Sequence, residues 1–172
     1  MKCKLVQRCT NGTLLTKYLW LGFILFGLAS LTLFNNRSNA MMRTQYFGYP
    51  ERMVIYRNGS LEQLNATNPR YSKIYQQLQQ RMHEPLYVAK LAAVPQILEQ
   101  IKKTETAIEF EYSKSQSTTY LIHKTTQKYV YTRIVFPLTG TYSELFFLGD
   151  KTGYYSGPLG QLTKPENLNE FF

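Results

Sequence analysis

After residue 9 the chain has no cysteine; its two thiols, Cys3 and Cys9, both precede everything else of note. A disulfide framework is therefore excluded downstream, and so is a zinc site built on thiolates. Histidine is almost as scarce, with only His83 and His123. His83 is placed at a helix end and His123 on a strand beside Lys124, with no ligand spacing between them, so no metal or other cofactor is expected. The glycine-rich run Gly153–Gly160 lacks a following Lys-Ser/Thr and opens no helix, which excludes a phosphate-binding loop. Ser143 and Ser156 stand in no nucleophile-elbow context. Basic residues are scattered without a stripe, so nucleic acid is not expected as a partner. There is no internal repeat and no low-complexity tract. Charged residues are 18% and hydrophobic residues 44%, a globular balance rather than a disordered one.

What the chain does have is one uncharged apolar segment, Tyr18 to Phe34. As a helix it is roughly 25 Å long, slightly short of the ~30 Å hydrocarbon core. Tyr18 and Trp20 lie where interfacial aromatics belong, and Lys17 is placed to snorkel. Lys2, Lys4, Arg8 and Lys17 precede the segment with no acid among them, leaving 16 basic and 11 acidic residues, a net +5, for the rest. By the positive-inside rule the N-terminus is cytoplasmic and the remainder outside. The segment reads as a signal anchor in the cell membrane. The alternative is a cleaved signal peptide and a secreted protein, because Ser38-Asn39-Ala40 is an acceptable small-x-small site before Met41. The organisation expected is a basic cytoplasmic tail over 1–17, a transmembrane anchor over 18–34, a tether over 35–51 and an extracytoplasmic domain over 52–172. Export without cysteines points to a bacterial envelope.

Within the domain, Arg52–Arg57 reads as a strand and Asn58-Gly59 as a hairpin turn, with Ser60 to Ala66 returning. Asn68-Pro69 opens a helix, and Tyr71, Ile74, Tyr75, Leu78 and Met82 form one apolar stripe. A second helical stretch is expected from Leu86 to Lys103, interrupted near Pro95. Ala107–Tyr112, Thr118–Lys124, Tyr129–Phe136 and Glu144–Leu148 read as strands, with Lys114–Ser117 as a polar turn. The fold expected is α+β: an N-terminal transmembrane helix, then a small domain in which two or three helices pack on one face of an antiparallel meander.

No residue stands out as catalytic. Glu109 and Glu111 lie two apart on one strand face, and paired carboxylates serve glycoside hydrolysis, but alternation puts them on the solvent face. All of the 14 tyrosines except Tyr18 follow the apolar segment. Tyr129, Tyr131 and Arg133 share a strand face by alternation, and Tyr142, Tyr154 and Tyr155 fall in the last loops. Tyrosine and arginine favour recognition surfaces, so these six are the candidate binding residues; filling of half-buried sheet positions is the competing role for tyrosine. The function expected is a membrane-anchored binding or regulatory protein without catalytic activity, acting on the membrane, an envelope protein or cell-wall material. The alternatives are a secreted glycan- or peptide-binding domain and, third, a small hydrolase using Glu109 and Glu111.

Overall fold

The local chemistry of Asn-Gly and Asn-Pro shapes the start of the domain. The computed structural model describes residues 45–164; the tail, the apolar segment Tyr18–Phe34 and residues 165–172 lie outside it. Among the described residues no helix is long and apolar enough to cross a membrane. Strands β1 (Arg52–Arg57) and β2 (Ser60–Leu64) pair antiparallel around a two-residue turn. Asn58 and Gly59 both take positive φ, 49° and 82°, as the twist-matched tight hairpin requires. Helix α1 (Pro69–Gln80) starts where Asn68 accepts a hydrogen bond from the Arg70 N–H at 2.9 Å. Tyr71, Ile74 and Leu78 bury its stripe.

The next segment departs from the expected helix. Leu86–Ala93 is extended or irregular and contributes the short strand β3 (Tyr87–Val88). Helix α2 spans Val94–Thr104, so Pro95 opens the helix instead of interrupting it; its missing N–H costs nothing in the first turn. Lys102 and Lys103 sit in its last turn, at the negative end of the dipole.

The expected polar turn at Lys114–Ser117 is not a turn. Strand β4 runs unbroken from Thr106 to Ile122, with a register irregularity between Glu111 and Gln116. The chain reverses at His123-Lys124, where His123 takes φ 54°, and returns as β5 (Thr125–Pro137). The run 113–117 is polar because that part of the hairpin faces solvent, and polarity alone does not mark a reversal. Strands β6 (Leu145–Gly149) and β7 (Leu159–Gly160) complete the sheet.

The sheet is antiparallel in the order β2-β1-β4-β5-β6-β7-β3. Its far end curls back on itself. The Leu86 N–H donates to the Leu121 carbonyl at 2.8 Å, and the His123 N–H to the Leu86 carbonyl at 2.9 Å. Since β3 follows Leu86, the path β4-β5-β6-β7-β3 returns to β4, a closed ring of hydrogen-bonded segments.

The two helices occupy opposite faces of the sheet, not one face. On the α1 side Met53, Ile55, Ile108, Phe110, Ile134, Phe136 and Phe146 pack with Tyr71, Ile74 and Leu78. On the other side Ala107, Val135, Leu145 and Phe147 pack with Val94, Leu98 and Ile101 of α2. Alternate residues of β4 and β5 are thus buried on both sides, so the central strands read as nearly continuous apolar runs. Residues 45–51, expected as tether, belong to the packed domain: Phe47 is 1% exposed and its ring meets Tyr75, Phe110 and Phe136.

Candidate functional site

Because α2 covers the second face, Glu109 of β4 is enclosed. It is 2% exposed, against the expectation that it faces solvent. Its Oε2 accepts from the Lys102 ammonium at 2.6 Å and from the Tyr56 hydroxyl at 2.8 Å, and its Oε1 accepts from the Tyr154 hydroxyl. Lys102 also lies over the Tyr56 ring, 4.8 Å from its centroid. Burial pushes the Glu109 carboxyl upward; the Lys102 hydrogen bond and charge, with the two hydroxyls, outweigh it and hold the group below the ordinary carboxylate range. Burial, and then the neighbouring carboxylate, keep the Tyr56 and Tyr154 phenols protonated as donors.

This cluster joins β1, β4, α2 and the segment after β6. Both carboxylate oxygens are engaged, which suits holding α2 on the sheet better than proton transfer to a substrate. Glu111 lies apart, ion-paired with Arg52. That pair borders a cleft of about 420 Å³ whose lining includes Gln63, Asn65 and Tyr112. Glu51, also on the cleft, accepts from the Ser113 hydroxyl. The two glutamates therefore do not converge on an open site. Among the described residues no His, Cys, Asp and Glu group is placed to hold a metal ion.

The six candidate recognition residues are divided between the two faces. Tyr131 is fully buried in the α1-side core, 3.1 Å from Thr118 Oγ1, with its ring edge-on to Tyr112. Tyr129 and Tyr155 pack partly buried against the same core, and the Tyr155 hydroxyl donates to the Val130 carbonyl. Arg133 lies on the other face, its guanidinium over Tyr154, 5.7 Å from the ring centroid. Tyr154 is committed to Glu109, and Tyr142 packs edge-on to Phe147. Arg133 and Tyr131 do not share a face because Glu111 pairs with Arg133 while Gln116 pairs with Tyr131. Between these pairs, residues 112–115 of β4 are set against Thr132 alone, and the irregularity shifts the alternation.

The abundance of tyrosine has a structural use that composition does not reveal. Segment 46–50 crosses the α1-side core without pairing as a strand, so its carbonyls need donors. Four hydroxyls supply them: Tyr120 to Tyr46 O at 2.9 Å, Tyr75 to Phe47 O at 2.9 Å, Tyr112 to Gly48 O at 2.8 Å, and Tyr71 to Pro50 O at 2.6 Å. Gln79 Nε2 adds a second bond to Phe47 O at 2.7 Å. Burial raises the pKa of Tyr71, Tyr112 and Tyr120, which keeps these donors protonated.

A buried cation, Arg81, caps α1. Its Nε donates to the Thr163 carbonyl at 2.8 Å and its Nη2 to the Ser143 carbonyl, and burial lowers its pKa to about 10 against the pull of Glu144. It ties the β5–β6 loop and the segment after β7 to the negative end of the helix. Compared with protein-family models, curated proteins and solved structures, the chain has no match.

Proposed function

We propose that this chain is a single-pass membrane protein whose domain acts outside the cell membrane as a non-catalytic binding or regulatory module of a bacterial envelope. The observation that carries the reading is the uncharged segment Tyr18–Phe34 behind Lys2, Lys4, Arg8 and Lys17. The domain's interior supports the second half of it. Its one described meeting of acid, amine and phenols, around Glu109, has both carboxylate oxygens engaged and α2 packed over it. An exchange of protons with substrate needs a group that is free to change partners.

The test is the intact mass of the native protein together with the fraction that yields it. Full-length chain in the membrane, recovered with one stoichiometric partner, is the expected result. Repeated recovery of the chain alone counts against a partner. A mass beginning at Met41 in the medium selects the secreted alternative, which the fold tolerates because cleavage after Ala40 leaves the packed segment from Gln45 intact.

A further inference from the structure

Past Tyr131 the β4–β5 hairpin continues as an arm with an open flank. Strand β6 runs beside β5 only at Arg133–Val135. From Thr125 to Tyr131, β5 has no strand partner on the side away from β4 among the described residues. The phase of the free edge follows from the turn. A two-residue connection makes Ile122–Thr125 a mutually hydrogen-bonded pair, so Gln127 and Tyr129 also bond to β4. Thr126, Lys128 and Val130 then direct their N–H and C=O groups outward. The Tyr155 hydroxyl donates to the Val130 carbonyl from that outer side, as this phase requires. Their side chains are exposed, Val130 by 47%.

The hairpin itself carries charge of one sign; the acids near it come from elsewhere in the chain, Glu84 at the Leu121 N–H and Asp150 beside Tyr155. No Asp or Glu occurs from Tyr112 to Ser143, whereas Lys114, Lys124, Lys128 and Arg133 all do. Lys114, Lys124 and Lys128 are exposed, and none forms an ion pair among the described residues. Lysine on an open edge opposes pairing with a second copy of the same edge. It favours a strand of opposite charge, and the Thr-, Tyr- and Val-rich edge is of a kind that pairs readily.

We propose that the free edge of β5, Thr125–Val130, receives an extended acidic segment of a protein partner as an added strand. The outward N–H and C=O groups of Thr126 and Lys128 and the Val130 N–H provide the ladder, the Val130 carbonyl being engaged by Tyr155; the lysines select acidic side chains, and Val130 offers an apolar contact. This deepens the binding reading above and rests on it.

The experiment uses the full-length chain in nonionic micelles, titrated with a short synthetic peptide alternating Glu and Val, and separately with its Lys–Val counterpart. Amide exchange at Thr126, Lys128 and Val130 is followed by NMR. The expected result is slowing of these amides by the Glu peptide only, by about tenfold at saturation. Lys128→Gln is expected to weaken binding several-fold and flatten its salt dependence. Thr126→Pro removes an outward donor but no bond to β4, and is expected to abolish protection with every charge retained. Should Thr126→Pro not fold, Lys128→Glu decides, since it keeps the backbone and reverses the charge. Equal response to both peptides, or none, overturns the proposal. Binding to anionic phospholipid vesicles that Lys128→Gln weakens and Thr126→Pro does not would make the arm a lipid contact and equally overturn it. If a native partner co-purifies undiminished with a chain carrying both Thr126→Pro and Lys128→Gln, the edge is not the contact, while the binding reading stands.

Discussion

Lys102 and Glu109 are held together by a difference in what each can do alone. Lys102 keeps a quarter of its side-chain surface in water, whereas Glu109 keeps 3%. Removing the cation leaves a buried carboxylate supported only by two phenols. Lys102→Met is therefore expected to destabilise the domain by roughly 3 kcal/mol near neutral pH, the lower end of the range for a broken buried pair because the lysine is partly solvated. The pH dependence follows from the depressed Glu109 carboxyl. Its contribution is whole above the unfolded carboxylate value of about 4.3 and is lost as pH falls through the lower folded value. In the variant the carboxyl titrates higher, because burial is no longer opposed by the cation. The gap between parent and variant should then narrow on acidification, measured as urea midpoints near neutrality and at about pH 4. A gap that does not change with pH would assign the loss to the contact of the Lys102 ammonium with the Tyr56 ring instead. Neither partner's role was legible from alternation alone. Glu109 occupies the face that a one-sided sheet leaves wet, and it is dry because α2 lies there.

The elements divide according to how local their causes are. The β1–β2 hairpin and the start of α1 were readable because Asn58-Gly59 and Asn68-Pro69 carry their conformations within two residues. These give the second prediction. Asn68→Ala removes a side-chain cap and should cost about 1 kcal/mol. Gly59→Ala forces a side chain into φ 82° and should cost about 1–2 kcal/mol. Thermal midpoints of the two single variants and the double variant test both, with additivity expected because the turn and the cap share no hydrogen bond. Strand β3 was not readable, since two residues have no period. The shared face assigned to Tyr131 and Arg133 failed for a related reason: the irregularity opposite Glu111–Gln116 is a property of the pairing, and neither strand carries it in its own alternation. The single long β4 was missed because its exposed Ser, Lys and Gln residues have turn-like composition. The α+β class and the antiparallel sheet survived these errors, because the aromatic and β-branched runs that mark strands persist whichever face they point to.

At the scale of the whole molecule, the domain begins where the sequence suggested a tether. Phe47 inserts among Tyr75, Phe110 and Phe136, and four tyrosine hydroxyls bond the carbonyls of Tyr46, Phe47, Gly48 and Pro50. Composition showed the tyrosines but not their target, because an irregular segment has no pattern of its own by which to announce that it is buried. Dispersing those rings and orphaning those donors together should be worse than losing an ordinary terminal segment. A chain beginning at Gln45 is accordingly expected to unfold at the same urea concentration as the full-length protein in micelles. A chain beginning at Arg52 should fail to fold, or unfold at a much lower concentration. Phe47→Ala in the full-length chain separates the ring from the backbone bonds and should cost about 3–5 kcal/mol. If the Arg52 chain matched the Gln45 chain, segment 45–51 would be an ornament on the fold and the tyrosines would need another role. If it fails as expected, the span from Phe34 to the first core residue shortens to residues 35–46.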